Sequence, residues 1–457
     1  MASSPEVFQA RRQRLSALLA RRGVETAAFC SGWARPRNFA HNVFPFRAES
    51  HFLYLVGRHL EGAVLLLQAG RSTLFVTPQP AEMALWEGPL PGPEELAALL
   101  ELDVRPLDDL EAPDEAACLP PQDEESALWF ESLLDRAIEA QSGPQLVGLD
   151  AQLADAMVEL RLVHDEAAIA ELRAAAEISA QAHVVGMRST RGASHEYVVR
   201  GAMEGAIVSR GLRTSYTSIV STRGEILHNN DSNGRIAGGE LLLCDVGAES
   251  LEGWAGDITR TWPTNGRFSP AQRDVYSLVL AVQKAAIVSA VAGVRYLELH
   301  RQAGHTMGEG LVELGLLRGE AGDLYERGAV AVFFPHGLGH LLGLDVHDME
   351  DLGDRAGYDA GAERSTQPGE SALRLDRRLA ADQVVTIEPG FYQSPLLLER
   401  ARQDPRVRDA VVWERLPAFA DVRGIRIEDD VRITSGAAQV LSAGAPKEID
   451  ALEGILR

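Results

Sequence analysis

The 457-residue chain has little of what would take it out of the ordinary globular class. It carries three cysteines, Cys30, Cys118 and Cys244, far apart and without paired spacing. That excludes a disulfide framework and a thiolate zinc site. No uncharged run approaches the ~20 residues needed to span a bilayer. The N-terminal stretch MASSPEVFQARRQRLSALLARRG has no long apolar core and reads as an amphipathic helix rather than a leader. Positive charge is in deficit: 44 Lys+Arg against 66 Asp+Glu give −22, which disfavours nucleic acid and anionic membranes as partners. A cytoplasmic location is the expectation. With 46% hydrophobic and 24% charged residues the composition is that of a soluble protein, and the length calls for two or three domains.

What is present is concentrated in 329–348, AVAVFFPHGLGHLLGLDVHD, where His336, His340 and His347 fall within twelve positions. The apolar run Val330 to Phe334 followed by a glycine-punctuated turn reads as a strand delivering histidines to a cleft. Neutral imidazole binds transition metals, and glycine lets backbone crowd a ligand. A polar loop is the plain alternative. His195-Glu196 begins a possible HExxH zinc motif, but position 199 is Val199 and the motif fails, leaving His195 as a helix N-terminal residue.

An α/β N-terminal domain is expected over 1–160 and an α+β catalytic domain over 161–457. In the first, a helix over 6–23 precedes strands at 27–30, 62–68 and 72–77, with helices over 94–102 and 125–140. The acidic, proline-bearing stretch 108–125 reads as a surface loop, and this half offers no metal or nucleophile constellation. In the second, a long helix rich in strong helix formers starts at Asp165. Strands are expected at 240–246, 384–388 and 424–431, and helices at 270–291 and 297–314.

Acidic residues recur inside or at the ends of these strands: Asp245, Asp257, Glu388 and Glu428. A buried carboxylate is costly unless paired or metal-bound. One could be a salt bridge; four beside a histidine cluster point to metal. Four carboxylates and one imidazole suit Mn²⁺, Co²⁺, Fe²⁺ or Zn²⁺, and two ions ~3.5–4 Å apart activate water and polarise a carbonyl. Arg426, two residues before Glu428, shares its strand face and either orients ligands or makes an ordinary ion pair.

Asp245, Asp257, His340, Glu388 and Glu428, in the strings GDITRTW, PHGLGHLLGLDVHD, TIEPGFY and GIRIEDDV, resemble the ligand set of the dinuclear "pita-bread" metallopeptidases. The branch resembled is that of aminopeptidase P and prolidase, and FRAESHFLYLVG in the first half resembles that branch's N-terminal domain. The resemblance implies a creatinase/aminopeptidase-like fold and two divalent ions, Mn²⁺ foremost. It implies that Asp245 chelates one ion, that Asp257 and Glu428 bridge both, and that His340 and Glu388 complete the coordination of the second ion. Glu388 would also shuttle the proton of a bridging hydroxide. His228, His336 and His347 match substrate histidines that hold the scissile carbonyl and stabilise the oxyanion, and Tyr216 matches a tyrosine near the metals. The chain departs from the pattern in a shorter loop between Val220 and His228, with Ser221-Thr-Arg-Gly224 and Asn229 in unusual places, and in one extra residue between the two aspartates.

Forty residues, Asp348 to Ile387, separate His347 from Glu388. Within them, 357–383 resembles prolidase, with Leu373-Arg374 where that subclass presents an arginine to the substrate's terminal carboxylate; 396–411 is also prolidase-like. Guanidinium binds carboxylate bidentately, so an arginine there rewards dipeptides, although Arg374 could also be one solvated member of an arginine-rich run. The expected function is hydrolysis of Xaa-Pro dipeptides. The alternatives are aminopeptidase P, acting on longer peptides, and an inactive peptide-binding module; a metal-free creatinase-like activity fits the ligand set poorly. A homodimer or homotetramer is the expected assembly.

Overall fold

The computed structural model describes residues 3–111, 115–138 and 146–457. The chain divides into two compact units, Met1–Val163 with Met349–Ala356, and His164–Asp348 with Gly357–Arg457. Among the described residues no helix is long and apolar enough to cross a membrane.

The first unit is built on a five-stranded mixed sheet. Its strands are β1 (Thr26–Cys30), β2 (Val64–Gln68), β3 (Arg71–Val76), β4 (Asp103–Pro106) and β5 (Ala117–Cys118), in the order β4-β3-β2-β1-β5. Every residue of β1 is buried. Phe75, Phe130 and Leu134 pack with its Ala28 and Cys30 in one apolar cluster. Glu49 caps the buried helix Ser50–Val56 by accepting from the Phe52 amide, and Gly57 ends it at φ +73°, in the left-handed region that suits glycine.

Two expectations for this unit need correction. The stretch expected as a surface loop contains β5: Ala116 to Leu119 are buried, with β5 parallel to β1. A short apolar tetrad flanked by acids reads as loop by composition, and only its long-range partner makes it a strand. The helix expected over 125–140 runs Glu124–Leu134 and stops where Asp135 turns left-handed. Residues 139–140 and 112–114 of these two expectations lie outside the described residues.

The second unit carries β6 (Arg213–Thr214), β7 (Ile219–Ser221), β8 (Leu241–Asp245), β9 (Ala248–Glu249), β10 (Thr259–Pro263), β11 (Val384–Ile387), β12 (Gly390–Tyr392), β13 (Gly424–Arg426), β14 (Asp429–Arg432) and β15 (Gln439–Val440). They form small sheets, β10-β8-β7, β11-β14-β15, β12-β13 and β6-β9. The long helices are Glu166–Thr190, Pro270–Ser289 and Tyr296–Glu313. Asp165 caps the first, accepting from the Ala168 amide. Ser269 and Gln272 close a capping box on the second, with Pro270 just inside.

Two further corrections bear on function. Val330–Val332 is a 3-10 turn, not a strand, with the Phe333 and Phe334 amides both bonded to the Val330 carbonyl. Val330 and Val332 are buried, and a short buried apolar run looks alike in either conformation. The strand expected over 424–431 is broken into β13 and β14, which belong to different sheets. At the break, the Ile427 amide bonds Pro389 and the Glu428 amide bonds Thr259, so the chain crosses from one ladder to another.

Candidate metal centre

The five candidate ligands sit where ladders end. Asp245 closes β8, opposite Thr259 of β10 and Ile219 of β7. Asp257 lies two residues before β10, Glu388 falls between β11 and β12, and Glu428 falls in the break between β13 and β14. His340 is held against β11 from both sides: its amide donates to Thr386 Oγ1 (3.0 Å), and its carbonyl accepts from the Thr386 amide (3.0 Å). Gly339 permits this approach, because a Cβ there would lie 2.1 Å from the Thr386 carbonyl oxygen.

These side chains line one cavity of about 100 Å³ together with His228, His336, His347, Arg374 and Arg426. At roughly 30 Å³ per water, that volume takes a few water-sized or ionic occupants. Tyr216 reaches the same group from behind, its hydroxyl lying 2.5 Å from Asp245 Oδ1 and 2.7 Å from Asp257 Oδ1. All eleven residues singled out in the sequence are therefore gathered in one place.

The donor set fits divalent cations. Ligand atoms of Asp257, His340 and Glu428 all lie within 4.8 Å of one another. His340 Nδ1 faces the Leu341 carbonyl at 2.9 Å, an oxygen that only accepts, so the proton sits on Nδ1. The Nε2 lone pair is thereby turned toward Asp257 Oδ2 and Glu388 Oε1, each 3.5 Å away. A divalent cation between them would be met by lone pairs from both sides. The electrostatics agree. Burial and the neighbouring Asp245 push Asp257 up to about 7. Burial also pushes Glu388 up to about 7, against the opposing pull of His340 and Arg426. Burial, with Asp257, Glu388 and Asp245, drives Glu428 well above the carboxylate range. Bound cations would reverse that logic.

Arg426, as expected, and three residues that the sequence reading passed over, Thr259, Asp430 and Tyr392, surround the candidate ligands. Arg426, buried, donates to Asp245 Oδ2 (2.6 Å), Thr259 Oγ1 (3.0 Å) and the Tyr392 hydroxyl (3.0 Å). Thr259 Oγ1 in turn donates to Glu428 Oε2 (2.7 Å). Asp430 accepts from the Asp257 amide. Tyr392 is the more consequential addition. His336 Nδ1 lies 2.8 Å from the Gly337 carbonyl, which puts its proton there, so Nε2 accepts from the Tyr392 hydroxyl at 2.9 Å. Burial and Arg426 keep His336 neutral, its pKa pushed down to about 3. The His340 and His347 rings meet edge to face, 4.2 Å between centroids, and burial lowers the pKa of His228.

Arg374 reaches the cavity from the segment after the short 3-10 turn Glu370–Ala372. The Leu373 carbonyl just before it accepts from the Tyr358 hydroxyl (2.9 Å) and Arg364 (2.7 Å). The first unit also holds a cluster missed in the sequence. Glu49, His51 and Asp351 have donor atoms close together, but Arg161 donates to His51 Nδ1 (2.9 Å) while Nε2 meets Asp351 Oδ2 (3.0 Å). That is a satisfied charge network, with a cation already built in.

Buried carboxylates around an imidazole, with further histidines across a small cavity, define the site of a metal-dependent hydrolase. Residues 170–435 match the model of metallopeptidase family M24, and residues 8–120 match that of the aminopeptidase P N-terminal domain. A probable Xaa-Pro aminopeptidase of Penicillium rubens is 32% identical over 90% of this chain and 88% of its own length. The human Xaa-Pro dipeptidase is 32% identical over 90% of this chain and 84% of its own. Among solved structures, proline aminopeptidase P II from Yersinia pestis superposes with a TM-score of 0.79 at 30% identity, covering 99% of both chains. Zinc-substituted E. coli aminopeptidase P in complex with product gives 0.78 at 28% identity, covering 100% of this chain and 99% of that one. The chain belongs to metallopeptidase family M24, in its pita-bread Xaa-Pro peptidase branch.

Proposed function

We propose that the protein is a metal-dependent Xaa-Pro dipeptidase. The observation that carries this reading is Arg374 at the cavity that also holds the carboxylate–imidazole set. A dipeptide's terminal carboxylate lies one residue beyond the scissile bond, within the class of group a guanidinium grips bidentately. Two divalent cations, Mn²⁺ foremost and Co²⁺, Zn²⁺ or Fe²⁺ as substitutes, are held by Asp245, Asp257, His340, Glu388 and Glu428. When bound, they supply an activated water at neutral pH and polarise the scissile carbonyl. Arg426 and Tyr216 hold the two aspartates in position. Glu388 takes up a proton and returns it to the leaving proline nitrogen. His228, His336 and His347 orient the carbonyl and receive charge developing on its oxygen. The substrates are small peptides with proline second.

One observation favours a second reading, aminopeptidase P acting on longer peptides: the two solved structures compared above are both named as that enzyme. Hydrolysis of Xaa-Pro beside Xaa-Pro-Yaa, with Mn²⁺, decides between them. The dipeptidase reading expects faster dipeptide cleavage, with Arg374→Ala lowering kcat/KM on the dipeptide. Loss of a charged hydrogen-bond pair is worth about 1.5–3 kcal/mol, roughly ten- to hundredfold. Equal or better tripeptide cleavage, untouched by Arg374→Ala, supports aminopeptidase P instead. No cleavage of either leaves a peptide-binding module. Light scattering reads the proposed dimer or tetramer directly.

A further inference from the structure

The failed zinc motif has a different use. Glu196 is the first residue of the helix Glu196–Val208 and is 1% exposed. Among the described residues no charged side chain bonds its carboxylate; its partners are neutral donors from a single loop. Oε1 accepts from the Thr222 amide (2.6 Å), Thr222 Oγ1 (2.9 Å) and Ser221 Oγ (3.3 Å), and Oε2 accepts from the Gly234 amide (3.1 Å). Residues 221–222 and 234 are the two ends of the loop that carries His228. Gly234 is needed at its end, since a Cβ there would lie 2.6 Å from Glu196 Oε1. The backbone adds to the clasp: the Glu196 amide bonds the Gly234 carbonyl, and the Ile236 amide bonds the Ser194 carbonyl.

We infer that Glu196 is a positioning residue for His228, closing the 221–234 loop so that the imidazole is held at the cavity. The path is continuous. Ser221 Oγ, which donates to Glu196, also accepts from the Asn229 side chain at 2.8 Å, and Asn229 is the residue next to His228. A carboxylate offers four lone-pair sites, enough to hold both loop ends with one side chain. This explains the two unusual loop features together. The serine and threonine at 221–222 and the asparagine at 229 are the polar groups that tie a short loop to a buried carboxylate. The inference rests on the reading of His228 as a substrate histidine.

The test is a double-mutant cycle on the Mn²⁺-loaded enzyme with Xaa-Pro substrate, using Glu196→Gln and His228→Ala. Glutamine keeps the shape but replaces one acceptor oxygen with an amide NH2 donor, opposite a backbone N–H that needs an acceptor. Acting through His228, Glu196→Gln lowers kcat/KM about tenfold in wild type and has no further effect once His228 is alanine. Equal losses in both backgrounds, no loss in wild type, or a neutral His228→Ala overturn the inference. Amide hydrogen exchange over 221–234 gives a readout independent of turnover: faster exchange confined to that loop in Glu196→Gln is expected, and unchanged exchange overturns the clasp. A wild type that cleaves no Xaa-Pro peptide, together with faster loop-confined exchange in Glu196→Gln, would mean that the functional reading has failed while the clasp stands. Should Glu196→Gln fold poorly, Thr222→Val removes one donor only and is expected to give a smaller effect with the same non-additivity.

Discussion

Glu428 and Asp429 are neighbours in the chain, both are carboxylates and both are buried, at 2% and 0% exposure. Their surroundings are opposite. Glu428 faces other acids, and burial with Asp257, Glu388 and Asp245 drives its pKa well above the carboxylate range. Burial also works against Asp429, but Arg260 and Lys447 outweigh it and hold the group at about 2. Asp429 accepts from Arg260 (2.7 Å), Lys447 (2.5 Å), Gln283 (2.7 Å) and Ser442 (2.7 Å), so its charge and lone pairs are met by the protein. Asp429 is an internal strut, whereas Glu428 sits in the candidate metal centre. The difference lies in whether the protein itself supplies the opposite charge.

The strongest way to break this contrast is to remove a candidate ligand. Asp257→Asn or His340→Ala is expected to lower bound metal, read by elemental analysis, and to cut turnover by roughly four orders of magnitude, over 5 kcal/mol of barrier. In the metal-free state Asp257→Asn should melt no lower than wild type, because it removes one charge from a crowded group of acids. Unchanged metal content in both variants would overturn the ligand assignment.

The strut should respond the other way. Asp429→Asn leaves the buried Arg260 and the half-buried Lys447 without their counter-charge, a loss of about 3–5 kcal/mol of stability by urea unfolding. A loss under ~1 kcal/mol would mean that the two clusters do not differ as described.

Acid sharpens the comparison with a smaller effect. His183 packs beside the strut; burial and then Arg260 push its pKa down to about 4 from 6.5. Between those values the unfolded chain binds more protons, so the stabilisation is fully present above pH 6.5 and is lost as pH falls toward 4. The slope is about 1.4 kcal/mol per pH unit for this one group. Urea midpoints of metal-free wild type and His183→Asn, compared at pH 7 and 4.5, isolate it: the wild type should lose more.

Much of the centre was legible because local strings carry it. The residues from GDITRTW, PHGLGHLLGLDVHD, TIEPGFY and GIRIEDDV line one cavity. The long helices were legible from composition and caps, as at Asp165 and Ser269. What could not be read were features defined by a distant partner. Ala117–Cys118 becomes a strand only beside β1, and 424–431 breaks because Glu428 is bonded to Thr259. Val330–Val332 is buried without any ladder.

The sequence by itself determined the kinds of donor available, their order and the family to which the chain belongs, because side-chain chemistry and short motifs are local. Only the tertiary structure decided that Glu428 lies among the other candidate ligand carboxylates while Asp429 meets arginine and lysine, which tautomer His336 and His340 adopt, and that the Glu196 carboxylate bonds both ends of one loop. Each of those depends on what lies across space from a buried group, where low dielectric makes the presence or absence of a partner decisive.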